Sequence, residues 1–171
     1  VKSFDSETVA DEIEQVTRSS DRSICIVHCQ NGWGNAEIFA ERIFGQNIFS
    51  GRVITGFRRI SPNQVEITVH AEAIHLGSLF TNKIESLVPL AQAINDGGIP
   101  CKVVTAIEKD MIAKLLYNCV LNPLGAIFGA SYGILGRSKI TRKLMLEIAL
   151  EVFMVFQGRE THWTCAEEYM E

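Results

Sequence analysis

The hydrophobic pattern of this chain changes character once, near Thr105 and Ala106. Before that point, short apolar runs of strand length alternate with amphipathic helical segments, which is the order expected of an α/β domain. After it, apolar residues recur every three or four positions as far as residue 156, and no strand pattern returns. The sequence therefore predicts an α/β part over residues 1–105 followed by an all-α part over residues 106–171.

A strand, a glycine turn and a helix follow one another early in the α/β part. The apolar run Ile24–His28 predicts a buried parallel strand, and Ala36–Phe44 predicts a helix. Between them, Gly32 and Gly34 match part of a G-x-G-x-x-G motif, but Glu37 occupies the third glycine position. The turn is therefore either a plain strand-to-helix connection that needs glycine at positive φ, or a turn that faces a ligand.

The other predicted elements of the α/β part are short. Val1–Phe4 predicts the end of a strand, and an amphipathic helix follows from Glu7 to about Ser19. A later helix over Ile84–Ala93 and a last strand over Pro100–Val104 close this part. Three runs with period-two character predict largely antiparallel strands at the edge of the sheet, namely Val53–Ile60, Val65–Val69 and Ile74–Leu79.

A row of polar side chains interrupts the apolar helix that opens the all-α part. Lys114, Asn118 and Asn122 are spaced by four in KLLYNCVLN, so they share one face of a helix; we call them the polar row. A lysine and two amides on an apolar helix suggest a small, preorganised polar slot, because buried lysine is rare unless it is paired or functional. Alternatively, Lys114 reaches solvent or pairs with Asp110, and the two amides satisfy nearby backbone groups.

Pro123 follows the polar row directly and has no N–H to donate. The helix that begins near residue 106 is therefore expected to kink or end at Asn122. A loop over Gly129–Gly136 and a helix capped by Ser138 and ending near Phe156 are predicted beyond it. The residues expected to face inward on that helix are Ile140, Leu144, Ile148, Val152 and Val155.

Charge and cysteine content argue against several classes of protein. A net charge of -4, with basic residues scattered along the chain, disfavours a nucleic-acid partner. No uninterrupted apolar run reaches about 18 residues, and the first residues lack a signal-peptide pattern, so a cytoplasmic protein with no membrane partner is expected. Five cysteines without a C-x-x-C pair are expected to be reduced apolar fillers, with no disulfide framework and no metal site: Cys25, Cys29, Cys101, Cys119 and Cys165.

Five stretches carry the most specific pattern in the chain: VKSFDSE, QNGWGN, HLGSL, KLLYNCVLNPL and SYGIL. In this order and spacing they resemble the ketopantoate reductase (2-dehydropantoate 2-reductase) family from residue 1 to about residue 156. The resemblance implies the C-terminal part of a Rossmann-like NADP-binding domain joined to the start of a helical substrate domain. The family's G-x-G-x-x-G loop would lie before Val1 and its last helices after Glu171, so this chain alone is expected to be inactive.

The resemblance also implies roles for individual residues. It implies NADPH-dependent reduction of a 2-keto acid, ketopantoate, to pantoate in pantothenate and coenzyme A biosynthesis, with Lys114 as the general acid. Asn118 and Asn122 would bind the hydroxyl or keto group of the substrate. Asn31 would lie between nicotinamide and substrate, and Lys2 would lie close to the cofactor. A homodimer is compatible with the resemblance.

Two alternatives stay open from the sequence. A β-hydroxyacid dehydrogenase of the 6-phosphogluconate type also places a lysine and an asparagine four residues apart, but its lysine usually follows a glycine-rich turn, which residues 106–113 lack. A non-catalytic protein that keeps the fold to bind a nucleotide or a partner would explain the missing phosphate loop. The loop Tyr132–Leu135 also departs from the family's usual Asn-Gly-Glu-Leu, so any contact from it is left unassigned.

Overall fold

The computed structural model describes residues 1–18, 24–43, 47–80, 83–159, 161–162 and 165–170. They form two compact units, Val1–Ile107 and Glu108–Glu171. The first unit contains strands and helices and the second contains helices, so the predicted fold class is confirmed. The predicted ends of the first two helices, near Ser19 and Phe44, lie outside the described residues.

The first unit begins with a single helical turn where the sequence predicted a strand end. Ser3–Asp5 form a 3-10 turn because the Asp5 N–H donates to the Lys2 carbonyl at 3.0 Å, so that prediction is wrong. The elements that follow, in chain order, are α1 (Ser6–Arg18), β1 (Ile26–His28), α2 (Asn35–Ala40), β2 (Ile48–Arg52), β3 (Thr55–Ser61), β4 (Gln64–His70), β5 (Ile74–Gly77), α3 (Val88–Asp96) and β6 (Cys101–Val103).

Four of these strands form one sheet in the order β1-β2-β5-β6. β1 is parallel to β2 and β5 is parallel to β6, while β5 runs antiparallel to β2. The predicted group of edge strands is therefore wrong in part. β5 lies inside the sheet and is buried along its length, whereas β3 and β4 form a separate antiparallel pair within the described part of the chain. Periodicity along a single strand does not specify which neighbour that strand takes, and this is why the grouping failed.

β2 shows how the sheet is covered on both faces. Ile48 packs in a cluster with Phe39 from α2, and its neighbour Phe49 packs in a second cluster with Leu76 and with Leu87, which precedes α3. Because successive side chains of a strand point to opposite faces, the two clusters lie on opposite sides of the sheet. All five residues of β2 are accordingly buried. This doubly covered layer holds the end of β1 and the turn after it in place.

Gly77, at the end of β5, allows the Ile107 side chain and the Val104 carbonyl to lie close to the strand backbone. A Cβ at this position would lie 2.6 Å from Ile107 Cβ and 2.7 Å from the Val104 carbonyl oxygen. Because buried atoms at these distances must shift, Gly77→Ala should lower the free energy of unfolding by about 1–3 kcal/mol, measured by urea denaturation. Gly136→Ala is the matched control, since an added Cβ there meets nothing within 4 Å. Equal losses in the two variants would contradict the steric explanation.

The helices of the second unit are α4 (Ile107–Phe128), α5 (Tyr132–Arg137), α6 (Lys139–Val155) and α7 (Ala166–Tyr169). Of the predicted kink or end at Asn122, the end is wrong, because α4 continues through Pro123. The predicted loop Gly129–Gly136 is also wrong, because α5 occupies most of it. Proline removes one helical hydrogen bond, but Leu124 immediately after it is buried, and this burial offsets part of the loss.

α6 begins where the sequence predicted but buries a different face. Ser138 is the N-cap, although its side chain makes no capping bond, and Thr141 Oγ1 donates to the Ser138 carbonyl at 3.1 Å. The buried residues are Thr141, Met145 and Ala149, one position along from the predicted stripe. At its ends that stripe is exposed, with Ile140 at 75% and Val155 at 78%, while its central members are half-buried: Leu144, Ile148 and Val152.

By length and composition alone, α4 could cross a membrane, as could the core helix of many soluble proteins. It is the one helix among the described residues with this property. Its apolar residues do not form an uninterrupted run, because the polar row interrupts them at Lys114, Asn118 and Asn122.

Candidate functional site

The turn after β1 is held by hydrogen bonds from the N-terminal residues. Ser3 Oγ donates to the Asn31 carbonyl at 3.1 Å, and Asn35 Nδ2 donates to the same carbonyl at 3.4 Å. Ser6 Oγ donates to Asn35 Oδ1 at 2.8 Å in a buried contact. Because Ser3 directly follows Lys2, these bonds bring Lys2 and Asn31 into one exposed neighbourhood at the carboxyl end of β1.

The two glycines of this turn are in the left-handed region, with φ of 98° at Gly32 and 91° at Gly34. This conformation explains why glycine stands at both positions. The carboxylate of Glu37 lies in the first turn of α2, and its Oε2 is buried without a hydrogen-bond partner in the described structure. A carboxylate at this helix start opposes an anion, so the turn does not fit the diphosphate of a dinucleotide.

His28 at the end of β1 is a buried polar residue that the sequence analysis did not single out. Its Nδ1 lies 3.1 Å from Gln30 Oε1, and its Nε2 is buried without a hydrogen-bond partner in the described structure. Burial lowers the pKa of the ring more than the Gln30 bond raises it, which favours the neutral imidazole. The ring lines a groove of about 400 Å³ between α1 and β1, together with apolar residues of both elements.

In the second unit, the polar row lies along one side of α4. Leu116 and Val120 are buried, and each is two residues beyond a member of the row, which is about 200° around a helix. The row therefore points away from the buried stripe. Lys114 and Asn118 are half-buried and Asn122 is exposed. Among the described residues, the row therefore forms an open polar face, and the preorganised slot stays a prediction.

Side-chain hydrogen bonds connect part of this face. Asn122 Nδ2 donates to Asn118 Oδ1 at 3.3 Å, and the Tyr132 hydroxyl donates to Asn122 Oδ1 at 2.6 Å. The amides thus contact side chains, which differs from the alternative in which they satisfy backbone groups. Tyr132 joins the site from α5, and the sequence analysis did not assign it a role. Tyr132 is ten residues from Asn122 and lies on a different helix, so no helical periodicity in the sequence relates the two residues.

A second set of contacts lies near the start of α4. Asp110 is one turn before Lys114 and receives a hydrogen bond from His162 Nε2 at 2.9 Å. Arg159 Nη1 donates to Glu108 Oε1 at 2.5 Å. These two contacts tie residues that follow α6 to the first turn of α4. The carboxylate of Asp110, which the sequence offered as a partner for Lys114, is thus bound to a histidine.

The cysteines differ in their surroundings. Cys101 is buried and Cys119 is half-buried, and burial raises the pKa of both thiols. Cys25, Cys29 and Cys165 are exposed, so the prediction of apolar fillers is wrong for these three. Within the described ranges, no group of three or more His, Cys, Asp or Glu side chains could hold a metal ion.

An α/β unit with a mixed sheet, followed by a helical unit, places this chain in the class of proteins that join a Rossmann-like domain to a helical domain. The family model "Ketopantoate reductase PanE/ApbA" matches residues 1–79, and "Ketopantoate reductase PanE/ApbA C terminal" matches residues 106–169. The chain belongs to the ketopantoate reductase family.

Individual relatives agree with this assignment. A 2-dehydropantoate 2-reductase from Aquifex aeolicus is 34% identical over 174 residues, which are 99% of this chain and 54% of the relative. The crystal structure of 2-dehydropantoate 2-reductase from Geobacter metallireducens superposes with a TM-score of 0.79 at 23% identity, over 99% of this chain and 55% of that one. D-mandelate dehydrogenase in complex with NADH gives a TM-score of 0.81 at 19% identity, with the same coverage. The chain spans about half the length of these relatives, and the two structures are similar to it in fold.

Proposed function

We propose that the full-length protein that contains this sequence, called the complete protein below, reduces ketopantoate to pantoate with NADPH. The reaction takes place in the cytoplasm, as a step of pantothenate and coenzyme A biosynthesis. The observation that carries the proposal is the open polar row on α4 of a ketopantoate reductase family member. An ammonium group and two amides on one accessible face can bind the oxygens of a 2-keto acid. The similarity to the enzyme from Aquifex aeolicus supports this choice of substrate.

We assign the two parts of the chain to two tasks. Residues 1–105 contribute to a dinucleotide-binding domain and residues 106–171 to a helical substrate domain. The turn after β1 supports the first assignment, because ligands of open α/β sheets bind outside the carboxyl ends of parallel strands, where Asn31 and Lys2 lie. Since Glu37 disfavours a diphosphate there, these residues fit the nicotinamide end of the cofactor.

Lys114 is the general acid of the proposed reaction. NADPH, when bound, supplies the hydride that reduces the keto carbon. Negative charge then develops on the carbonyl oxygen, and the ammonium group of Lys114 stabilises that charge and donates its proton to the oxygen. The product is a 2-hydroxy acid, and Lys114 regains a proton from solvent. The half-buried position of the lysine strengthens the interaction relative to a fully hydrated ammonium group.

Asn118 and Asn122 hold the substrate in the proposed complex. Both amides lie on the face that carries Lys114, and each is one helical turn from its neighbour. Amide N–H groups that bind the keto acid oxygens orient the keto carbon for attack and contribute selectivity, because an analogue that lacks the matching oxygen leaves them unpaired.

A second candidate substrate is a 2-oxo acid with a phenyl substituent. The fold similarity to D-mandelate dehydrogenase favours it, as does Tyr132 in place of the asparagine that the family usually carries in this loop. An aromatic side chain beside the polar row offers an apolar surface to a ring.

A direct comparison of substrates tests both candidates. The complete protein is assayed with ketopantoate and with benzoylformate, each with NADPH and with NADH. We expect the highest kcat/KM for ketopantoate with NADPH. A higher value for benzoylformate would favour the second candidate, and no turnover of either acid would reject both.

A further inference from the structure

Tyr132 is the first donor in a series of two hydrogen bonds that are donated in the same direction along α4. Its hydroxyl donates to Asn122 Oδ1 at 2.6 Å, and Asn122 Nδ2 donates to Asn118 Oδ1 at 3.3 Å. Both bonds run from α5 towards the first half of α4. Each amide therefore turns its oxygen towards Tyr132 and its NH₂ group towards the Lys114 end of the polar row.

This direction determines which groups the polar row offers to a ligand. An asparagine amide presents an acceptor at one end and two donors at the other. With both amide oxygens engaged, the N–H groups of Asn118, the second N–H of Asn122 and the ammonium group of Lys114 are all donors. If both amides were rotated by 180°, carbonyl oxygens would take the place of these donors. A row made only of donors fits the carboxylate and keto oxygens of a 2-oxo acid.

Gly125 makes the contact with Tyr132 sterically feasible. A Cβ at position 125 would lie 3.2 Å from Tyr132 Cε1 and 3.6 Å from Cδ1. The tyrosine ring therefore rests on a helix surface that carries no side chain, and this places its hydroxyl within reach of Asn122. The hydroxyl contact and the ring contact are separate observations, and both locate Tyr132 against α4.

We propose that Tyr132 is a positioning residue that fixes the orientation of the Asn122 and Asn118 amides, and so makes the polar row selective for the anionic oxygens of a 2-oxo acid. The proposal rests on the proposed function for the identity of the ligand. The orientation of the amides itself can be measured without any turnover.

The first test is kinetic and uses the complete protein. Tyr132→Phe keeps the ring on Gly125 and removes only the hydroxyl. We expect KM for ketopantoate to rise about tenfold while kcat changes less than about threefold, because Lys114 is unaffected and the loss is in substrate binding. Tyr117→Phe is the matched control, since Tyr117 directly precedes Asn118 on α4 and is 48% exposed against 51% for Tyr132. Unchanged KM in Tyr132→Phe, or an equal rise in the control, would overturn the proposal.

The second test measures the amides directly. In ¹⁵N-labelled protein, the side-chain NH₂ signals of Asn118 and Asn122 are assigned from the Asn118→Ala and Asn122→Ala variants. Tyr132→Phe should shift both signals, because Asn118 is hydrogen-bonded to Asn122 and therefore responds to the tyrosine through Asn122. A signal of Asn118 that stays in place would overturn the proposal. If the wild type turns over no 2-oxo acid, the proposed function fails, and the NH₂ signals still decide the role of Tyr132.

A variant at Gly125 tests the steric part of the inference. Gly125→Ala should displace the tyrosine ring and raise KM in the same direction as Tyr132→Phe. The double variant should be no worse than the more impaired of the two single variants, because both changes remove the same hydrogen bond. Additive losses would show that the two residues act independently and would contradict the inference.

Discussion

Lys114→Ala should lower kcat for ketopantoate reduction by at least about 100-fold in the complete protein, the usual effect of losing a general acid or a charge-stabilising donor. The affinity for NADPH should change little, because the lysine interacts with the substrate oxygen. The measurement is steady-state kinetics with both substrates varied, together with a thermal melt to confirm that the variant is folded.

Lys143→Ala is the control for this experiment. Lys143 is on α6, its side chain is 79% exposed, and its pairing with Glu147 at 3.9 Å is a surface contact of small energy. It should retain the kcat of the wild type. Turnover by Lys114→Ala at close to the wild-type rate would remove the lysine from the mechanism.

Asn118→Ala and Asn122→Ala should each reduce kcat/KM for ketopantoate by roughly tenfold or more, with little change in Tm. Each substitution also removes a hydrogen bond within the protein, but these bonds lie on an accessible face where water replaces the lost partner. The larger loss is in substrate binding, so it appears in kinetics and not in folding. We expect Asn118 to be the more sensitive of the two. It is half-buried and one turn from Lys114, whereas Asn122 is exposed and lies in an unbroken part of α4.

A loss of stability without a loss of kcat/KM would show that the two amides have a structural role. If they served only to satisfy groups of the folded chain, each substitution would cost about 1 kcal/mol or more of stability and leave kcat/KM unchanged. Asn63→Ala in the turn between β3 and β4 is the control. Its amide oxygen also receives a side-chain hydrogen bond, from Ser61 at 3.0 Å, at an exposed position outside the polar row.

The change from alternating strands and helices to helices alone was sufficient to predict the fold class, because hydrophobic period follows secondary structure directly. The alignment of Lys114, Asn118 and Asn122 on one face was likewise predictable from helix geometry. The position of this face away from the buried residues was predictable as well, since Leu116 and Val120 are each about 200° from a member of the row on the same helix. The predicted slot assumed that α4 is apolar around its whole circumference, and this assumption hides the separation of polar and buried faces.

Other features depend on contacts between distant residues, and local pattern does not contain them. The position of β5 inside the sheet follows from its pairing with β2 and β6. The continuation of α4 past Pro123 depends on tertiary burial, including that of Leu124, which the local preference of the backbone does not contain. The contact of Tyr132 with Asn122 requires α5 to pack on Gly125, and the sequence predicted a loop there.

The most direct test of the lysine–amide site is the rate at which the complete protein oxidises NADPH in the presence of ketopantoate, compared between wild type and Lys114→Ala. We predict rapid turnover in the wild type, with one pantoate formed for each NADPH consumed, and a rate at least about 100-fold lower in the variant. No ketopantoate-dependent oxidation of NADPH by the wild type, or the same rate in both proteins, would contradict the assignment of Lys114 as the general acid of a ketopantoate reductase.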